Sequence, residues 1–140
     1  MAKTAREVMS QGAECIGENE SLAAAAKKMA ELDVGALPIC GEDDRLKGML
    51  TDRDIVIKAV AQGKDPDSTN ASEFAQGKPV TIGADDSVKD AIQTMKEHKV
   101  RRLPVIDGHD LVGIVSQGDL AQNADEDDVG DLVETISAAP

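Results

Sequence analysis

Residues 34–55, VGALPICGEDDRLKGMLTDRDI, decide the fold, because residues 100–120 repeat them as VRRLPVIDGHDLVGIVSQGDL. The leucine–proline pair recurs 66 positions later and the end of the stretch recurs at 65, so the second copy is one residue shorter in its turn. A long repeat that occurs only twice indicates two similar halves rather than a solenoid. The matched pairs are Pro38 and Pro104, Gly48 and Gly113, Thr51 and Ser116, and Asp54 and Asp119.

The repeat extends backward through a helical pattern into a short arm. The serine-led apolar pattern that begins at Ser21 recurs at Ser87. We therefore predict a first repeat with its N-terminal arm at 1–63, a second repeat at 64–124 and an acidic C-terminal tail at 125–140. Each repeat has the pattern strand, helix, strand, strand, helix, which predicts an α/β fold built from two related halves.

The composition excludes several classes of partner. The chain has 15 Lys+Arg against 27 Asp+Glu, a net charge of −12, which disfavours nucleic acid and anionic membranes. Phe74 is the only aromatic residue, so platforms for stacking bases are not expected. No apolar run approaches the roughly 20 residues of a membrane span, and residues 1–7 do not resemble a secretory signal. We expect a soluble, cytoplasmic protein.

The two cysteines, Cys15 and Cys40, have two interpretations. They are either small buried apolar residues in strands or a disulfide that joins the first two strands of the first half. Cytosolic disulfides are uncommon in mesophiles, but both residues lie near strand ends of the same half. No metal site is expected, because only His98 and His109 could join the cysteines and no ligand-pair spacing is present.

The two strand ends carry a hydroxyl residue followed three positions later by aspartate. These are Thr51 with Asp54 and Ser116 with Asp119. The simplest interpretation is a capping box, in which the hydroxyl and the acid satisfy backbone amides at the start of a helix. That interpretation explains each motif by itself.

The recurrence of the same motif favours a second interpretation. A strand-to-helix turn presents backbone amides that suit a phosphate, and a carboxylate there can accept two hydrogen bonds from a ribose diol. The preceding glycines, Gly48 and Gly113, would permit close approach. The geometry therefore suits a nucleoside phosphate whose base lies between aliphatic residues.

These features resemble a pair of CBS domains (cystathionine-β-synthase-type modules), also called a Bateman module. The resemblance covers about residues 4–122 and depends on the LPI and LPV strands, the two Gly-x-x-Thr/Ser-x-x-Asp ends and the two serine-led helices with their methionines. The motif is weak alone, and its duplication in register makes it specific. Residues 35–58 further resemble small stand-alone actinobacterial hypoxic-response CBS proteins.

The resemblance implies two pseudo-twofold-related halves that meet through their sheets, with two clefts between them. Such clefts commonly take AMP, ADP, ATP or S-adenosyl compounds, and no cofactor is required. Two such modules often pair into a disc-like homodimer, and we expect helices rather than sheet edges at the contact.

The family's binding roles transfer to individual positions. Asp54 and Asp119 match the ribose-binding acid, and Thr51 and Ser116 match the hydroxyl near the phosphate. Basic phosphate contacts of some members match Arg101 and Arg102, where the first half has Gly35 and Ala36. The two clefts are therefore expected to differ in charge. Because successive strand residues face opposite ways, only one arginine is expected to reach a given cleft.

Three functional hypotheses follow. The first is a non-enzymatic sensor of an adenine nucleotide, whose output passes through an unknown protein partner or through self-association. The alternative is a ligand-free dimeric stress or interaction protein in which the motifs only cap helices. The third is an enzyme, but the sequence contains neither a GxxxxGK[ST] loop nor a GxGxxG motif that would support it. In the tail, an apolar face formed by Val129, Leu132, Val133 and Ile136 is expected to dock on the domain or on a second chain.

Overall fold

The fold is α/β, as the repeated pattern predicts. The computed structural model describes residues 3–12, 14–75, 79–123 and 126–137. The chain packs into two compact units. We call Glu14–Pro79 the first-repeat unit, and Met1–Ala13 together with Val80–Pro140 the second-repeat unit.

The packing units differ from the repeats of the sequence. The arm that precedes the first repeat belongs to the second-repeat unit, and the arm that precedes the second repeat belongs to the first-repeat unit. The boundaries drawn at 1–63 and 64–124 thus remain a proposal about the repeated sequence, whereas packing assigns each arm to the other repeat.

The first-repeat unit contains a three-stranded sheet covered by helices. Its elements are β2 (Ile16–Gly17), α2 (Leu22–Leu32), β3 (Ala36–Cys40), β4 (Leu46–Thr51), a π-helix (Asp54–Ala59) and two 3-10 turns (Val60–Gln62 and Ala71–Phe74). The strand order is β2-β3-β4, in which β2 is parallel to β3 and β3 is antiparallel to β4. Strand β3 is buried along its whole length, which explains its unbroken apolar run.

Helix α2 follows directly from the sequence. The Ser21 hydroxyl accepts a hydrogen bond from the Ala24 N–H at 3.1 Å and caps the first turn. Leu22, Ala25 and Met29 then recur at helical spacing and are buried against the sheet. The sequence predicted this helix at the same position.

The helix predicted after Thr51 has a different geometry from the one expected. Asp54–Ala59 is a π-helix, and Val60–Gln62 continues it as a 3-10 turn. The Val60 N–H donates to the carbonyl of Ile55, five residues earlier. Hydrophobic spacing alone does not separate a π-helix from an α-helix over so short a segment.

The second-repeat unit contains a four-stranded sheet and its helices. Its elements are α1 (Ala5–Val8), β1 (Ser10–Gln11), β5 (Ile82–Gly83), α3 (Val88–His98), β6 (Arg102–Asp107), β7 (Asp110–Ser116), α4 (Gln117–Asn123) and α5 (Glu126–Ser137). The strand order is β1-β7-β6-β5. Strand β6 is parallel to β5 and antiparallel to β7, so the body of this unit repeats the topology of the first.

Helix α5 resolves the two alternatives for the apolar face of the tail. Leu132 and Ile136 are buried in the core of the second-repeat unit. An ion pair between Lys96 and Asp131 links α3 to α5 on the surface. The face therefore docks on its own unit, whereas Val133 remains 38% exposed.

The arms explain the glycine in each repeated strand. A Cβ atom on Gly113 would lie 2.5 Å from Sδ of Met9 and 2.6 Å from the Ser10 carbonyl, both in the N-terminal arm. A Cβ atom on Gly48 would lie 3.0 Å from Cα of Ala75, in the other arm. The expectation that these glycines admit a ligand is therefore wrong, because an arm of the chain occupies the space beside each of them.

The two cysteines lie together in the first-repeat unit. Cys15 and Cys40 are joined by a disulfide, with Cα atoms 5.7 Å apart and a sequence separation of 25. The bond fixes the segment before β2 to the end of β3. Of the two interpretations from the sequence, the structure contains the disulfide.

Candidate functional site

The hydroxyl and the acid of each motif bond to each other's backbone. The Ser116 N–H donates to Oδ2 of Asp119 at 2.9 Å, and the Asp119 N–H donates to the Ser116 hydroxyl at 3.1 Å. In the first-repeat unit both matching bonds, between Thr51 and Asp54, measure 3.0 Å. This reciprocal geometry is that of a capping box.

The cap uses only one oxygen of each carboxylate, and the second oxygen distinguishes the two units. Oδ1 of Asp54 lies 3.1 Å from Nζ of Lys58, one helical turn later. The position that matches Lys58 holds Asn123, whose side-chain amide donates to the backbone carbonyl of Asp119 at 2.7 Å. Within the described part of the chain, Oδ1 of Asp119 has no partner. The second-repeat unit therefore offers the more available acid.

A cavity of about 370 Å³ lies beside this motif in the second-repeat unit. Its lining includes both predicted arginines and the motif hydroxyl. The lining residues are Arg101, Arg102, Ser116, Gln117, Gly118 and Ala121. Asp119 is not among the lining residues, but its carboxylate accepts a hydrogen bond from the N–H of Ser116, which is one of them.

Both arginines line this one cavity, whereas strand alternation predicted that only one of them would reach a given cleft. Arg101 lies in the bend before β6, so strand alternation does not apply to it. Its carbonyl accepts a hydrogen bond from the Gln117 N–H at 2.8 Å, which fixes it beside the start of α4. Arg102 pairs with Ser116 across the sheet. Two exposed arginines therefore line one cavity together with Ser116.

The matching place in the first-repeat unit has the opposite charge pattern. Gly35 and Ala36 replace the two arginines, and Asp52 replaces Gln117. The Asp52 N–H donates to the Gly35 carbonyl at 2.9 Å. Its carboxylate lies 3.2 Å from the position that a Cβ on Gly35 would occupy. A phosphate placed here would meet a carboxylate where the other unit presents two guanidinium groups.

Sequence reasoning missed several residues that shape these two places. Gln117, Gly118 and Ala121 line the cavity because α4 begins directly after Ser116. Their place in the sequence next to the motif could have indicated this. The pairing of Lys58 with Asp54 was also readable, because an acid and a lysine four residues apart on a helix commonly pair.

The described residues do not present a metal centre. Among residues 3–12, 14–75, 79–123 and 126–137, no three His, Cys, Asp or Glu side chains lie close enough to hold a metal ion. The two cysteines are held in their disulfide. His98 ends α3, and His109 lies in the turn between β6 and β7.

Comparison with protein families identifies the fold and the motif together. The CBS domain profile matches residues 5–60 and 71–126, which includes both motifs and both arms. The chain belongs to the CBS-domain family. This is a family of regulatory modules, and the match indicates no enzyme family. The chain is 50% identical over 133 residues to Hypoxic response protein 1 of Mycobacterium tuberculosis, covering 95% of this chain and 93% of that protein.

Two solved structures show what similar CBS proteins hold. A crystal structure of Hypoxic Response Protein I contains two coordinated zinc ions; it is 51% identical, has a TM-score of 0.81 and covers 88% of this chain and 100% of that one. The CBS domain pair of protein MJ0100 was crystallised with 5′-methylthioadenosine and S-adenosyl-L-methionine. It is 27% identical, has a TM-score of 0.78 and covers 87% of this chain and 95% of that one.

The zinc ions of the Hypoxic Response Protein I structure have no counterpart among the described side chains of this chain. The described side chains form no three-ligand cluster, so they do not fit a zinc ion held by one chain. The helices within the described ranges also include none that is long and apolar enough to cross a membrane.

Proposed function

We propose that this chain is a non-enzymatic sensor that binds an adenine nucleotide or an S-adenosyl compound. The second-repeat unit provides the principal site, with Arg101 and Arg102 toward the phosphates or carboxylate of the ligand. Ser116 lies beside the anionic group, and Asp119 lies nearest the ribose. Thr51 and Asp54 form the weaker matching place in the first-repeat unit.

One observation carries this proposal: two exposed arginines line a single cavity in a strongly acidic chain. Neither Arg101 nor Arg102 forms an ion pair with any other described residue. In a chain of net charge −12, carboxylates are abundant, so two neighbouring unpaired arginines mark a place suited to an external anion.

The acid supports the adenosyl part of the proposal. Oδ2 of Asp119 is committed to the helix cap, whereas Oδ1 has no partner among the described residues. A carboxylate oxygen accepts hydrogen bonds from a diol and repels a phosphate. A ligand with both a ribose and an anionic group would therefore place the sugar toward Asp119 and the anion toward the arginines. The adenosyl ligands of the MJ0100 pair support this class of ligand.

A ligand-free role has an observation of its own. Both motifs form complete reciprocal caps, which explains the hydroxyl and the acid without any ligand. This alternative is a dimeric stress or interaction protein. It does not explain why two unpaired arginines border the cavity beside one of the caps.

We also propose that output passes through self-association as a homodimer or through a separate protein partner. The sensor would therefore act by changing which surfaces it presents when the ligand is bound.

A thermal-unfolding series with AMP, ADP, ATP, adenosine and S-adenosylmethionine tests the proposal, with inorganic tripolyphosphate as the anion control. A ligand at 100 times its dissociation constant should stabilise the fold by about 2.7 kcal/mol. We expect adenine nucleotides to stabilise more than adenosine or tripolyphosphate alone, because only they engage both the acid and the arginines. Stabilisation by none of the adenosyl compounds at millimolar concentration would favour the ligand-free alternative.

A further inference from the structure

We propose that Asn123 is the positioning residue that keeps the carboxylate of Asp119 open to a ribose, and that Lys58 closes the matching carboxylate of Asp54. This inference rests on the adenosyl-binding function proposed above and names the residues that make its two places unequal. Lys58 and Asn123 hold the same position in the repeat, because each lies four residues after its acid.

The spacing of four residues brings this position next to the carboxylate. On a helix, side chains four residues apart lie on the same face and contact each other. In both units the helix cap takes only Oδ2 of the acid and leaves Oδ1 for another group. The residue about one turn after the acid therefore decides whether Oδ1 is available to a ligand.

In the first-repeat unit a lysine occupies the position. Nζ of Lys58 lies 3.1 Å from Oδ1 of Asp54, and the lysine side chain is 65% exposed. A ribose hydroxyl that donates to this oxygen must compete with the ammonium group. An exposed ion pair of this kind shifts an equilibrium constant by up to about fivefold, so the lysine weakens a contact with the ribose without preventing it.

In the second-repeat unit the position holds a short, uncharged side chain that bonds elsewhere. The side-chain amide of Asn123 donates to the backbone carbonyl of Asp119 at 2.7 Å. It therefore bonds to the backbone of the acid and not to the carboxylate. Among the residues that the structure describes, Oδ1 of Asp119 consequently keeps its full capacity to accept hydrogen bonds from a diol.

The N-terminal arm fixes the orientation of this amide. Nζ of Lys3 donates to Oδ1 of Asn123 at 2.8 Å. An ammonium group has donors only, so it takes the amide oxygen and leaves the NH₂ group for the Asp119 carbonyl. The backbone of Lys3 is itself held at the start of α3, because its carbonyl accepts a hydrogen bond from the Val88 N–H at 2.9 Å. The arm thus directs its cation to the amide and away from the acid.

A purely structural role for Asn123 makes a different prediction. Its bond to a carbonyl of the last turn of α4 satisfies a backbone group that the end of a helix leaves without a partner. If that were its whole role, a substitution would change stability and would weaken every ligand to the same extent. A positioning role requires instead that the loss depend on the ribose hydroxyls of the ligand.

Calorimetric titration of ADP and of 2′,3′-dideoxy-ADP into the wild type and Asn123→Lys tests the inference. The dideoxy compound lacks both hydroxyls that would donate to Asp119. We expect the wild type to bind ADP about tenfold or more tightly than the dideoxy compound. Asn123→Lys should lower this ratio of dissociation constants by about twofold to fivefold, because the new lysine pairs with the acid as Lys58 does with Asp54.

Two further variants separate the charge of the lysine from other effects. Asn123→Met has about the length of lysine without its charge, and it should retain more of the wild-type ratio than Asn123→Lys does. Gln93→Lys adds the same charge on the exposed side of α3 in the same unit and should keep the wild-type ratio. Far-ultraviolet circular dichroism and thermal unfolding show whether each variant is folded. If Asn123→Lys does not fold, Asn123→Arg replaces it.

The outcomes separate this inference from the function on which it rests. If Asn123→Lys keeps the wild-type ratio, or if Asn123→Met loses as much of it, the inference is overturned and the sensor proposal stands. If the wild type binds both compounds equally tightly, the ribose role of Asp119 and the inference fail together, although nucleotide binding stands. A wild type that binds neither compound overturns the proposed function and the inference with it.

Discussion

Nζ of Lys58 lies 3.1 Å from Oδ1 of Asp54, on the carboxylate oxygen that the helix cap leaves unused. In the second repeat the position of Lys58 holds Asn123, which donates to the backbone carbonyl of Asp119 and not to its carboxylate. Two nearly identical motifs thus differ in the acceptor that remains for a ligand. The proposed preference of a ligand for the second-repeat unit depends on that difference and on Arg101 and Arg102.

Asp119→Asn should weaken the binding of ADP more than Asp54→Asn. Asparagine keeps the shape of the cap and removes the charge that accepts from a ribose. A hydrogen bond to a charged group contributes roughly 1.5–3 kcal/mol, or about tenfold or more in affinity. Isothermal titration calorimetry measures both variants. Equal losses would contradict the asymmetry, and unchanged affinity in both would favour a purely structural role for the acids.

Removing a capping hydroxyl should lower stability whether or not a ligand binds. Thr51→Ala and Ser116→Ala each lose one reciprocal bond of their motif. Loss of a serine or threonine cap costs about 1 kcal/mol. Urea unfolding without ligand measures this, with the exposed Ser72→Ala as the control. A free energy of unfolding equal to that of the wild type would show that the caps do not stabilise these segments.

Gly113→Ala should destabilise the protein more than Gly48→Ala does. The added methyl group would meet Met9 and Ser10 at 2.5 to 2.6 Å in the first case and Ala75 at 3.0 Å in the second. Overpacking of this kind costs roughly 1–3 kcal/mol. Chemical denaturation measures both variants.

The control for the glycine series is Gly130→Ala in α5. A Cβ on Gly130 would meet no atom within 4 Å, so alanine should raise stability by up to about 1 kcal/mol through its helix propensity. If Gly113→Ala is also neutral or stabilising, the arm does not press on β7 as described.

Reduction of the disulfide should lower the stability of the first-repeat unit. The bond between Cys15 and Cys40 closes a loop with a sequence separation of 25. Closing a loop of that size stabilises a fold by about 3.5 kcal/mol in the chain-entropy description. Thermal unfolding with and without dithiothreitol measures this effect. Cys15→Ser/Cys40→Ser should unfold at the temperature of the reduced protein and should not respond to dithiothreitol. If dithiothreitol also leaves the unfolding temperature of the wild type unchanged, the disulfide does not contribute the predicted stability.

The sequence predicted most of the elements, because each depends on local patterns. The cap at Ser21 and the helical spacing after it define α2 without any tertiary information. The strands were readable from the unbroken apolar run of Ala36–Cys40 and from its counterpart in the second repeat. Repetition in register then made the fold class recognisable.

The exchange of the two arms was not predicted, because sequence order gives no information about which unit a short segment packs against. The relevant signal was the small residue at Gly48 and at Gly113, which we attributed to a ligand. Only the three-dimensional packing shows that the backbone of an arm passes beside each glycine. A glycine that makes room for another segment of the protein cannot be told from one that makes room for a ligand by sequence alone.

The residues of the candidate site were named from the sequence, but only part of their geometry was predicted. Arg101 and Arg102 were named, but strict strand alternation separated them, because the bend before β6 was not foreseen. The acids were named, yet their capping bonds and the pairing of Asp54 with Lys58 depend on helix geometry beyond the motif. The residue types of the candidate site could therefore be predicted from the sequence, whereas the hydrogen-bond and ion-pair partners of each carboxylate could not.

Calorimetric titration of ADP into the wild type and into Arg101→Gln/Arg102→Gln tests the central claim most directly. Both arginines line the cavity beside Ser116, so the account predicts that the double variant loses affinity by about tenfold or more while its ligand-free stability is unchanged. Arg45→Gln, at an exposed turn of the first-repeat unit, removes one positive charge elsewhere and should bind as the wild type does. An unchanged dissociation constant for the double variant would contradict the account.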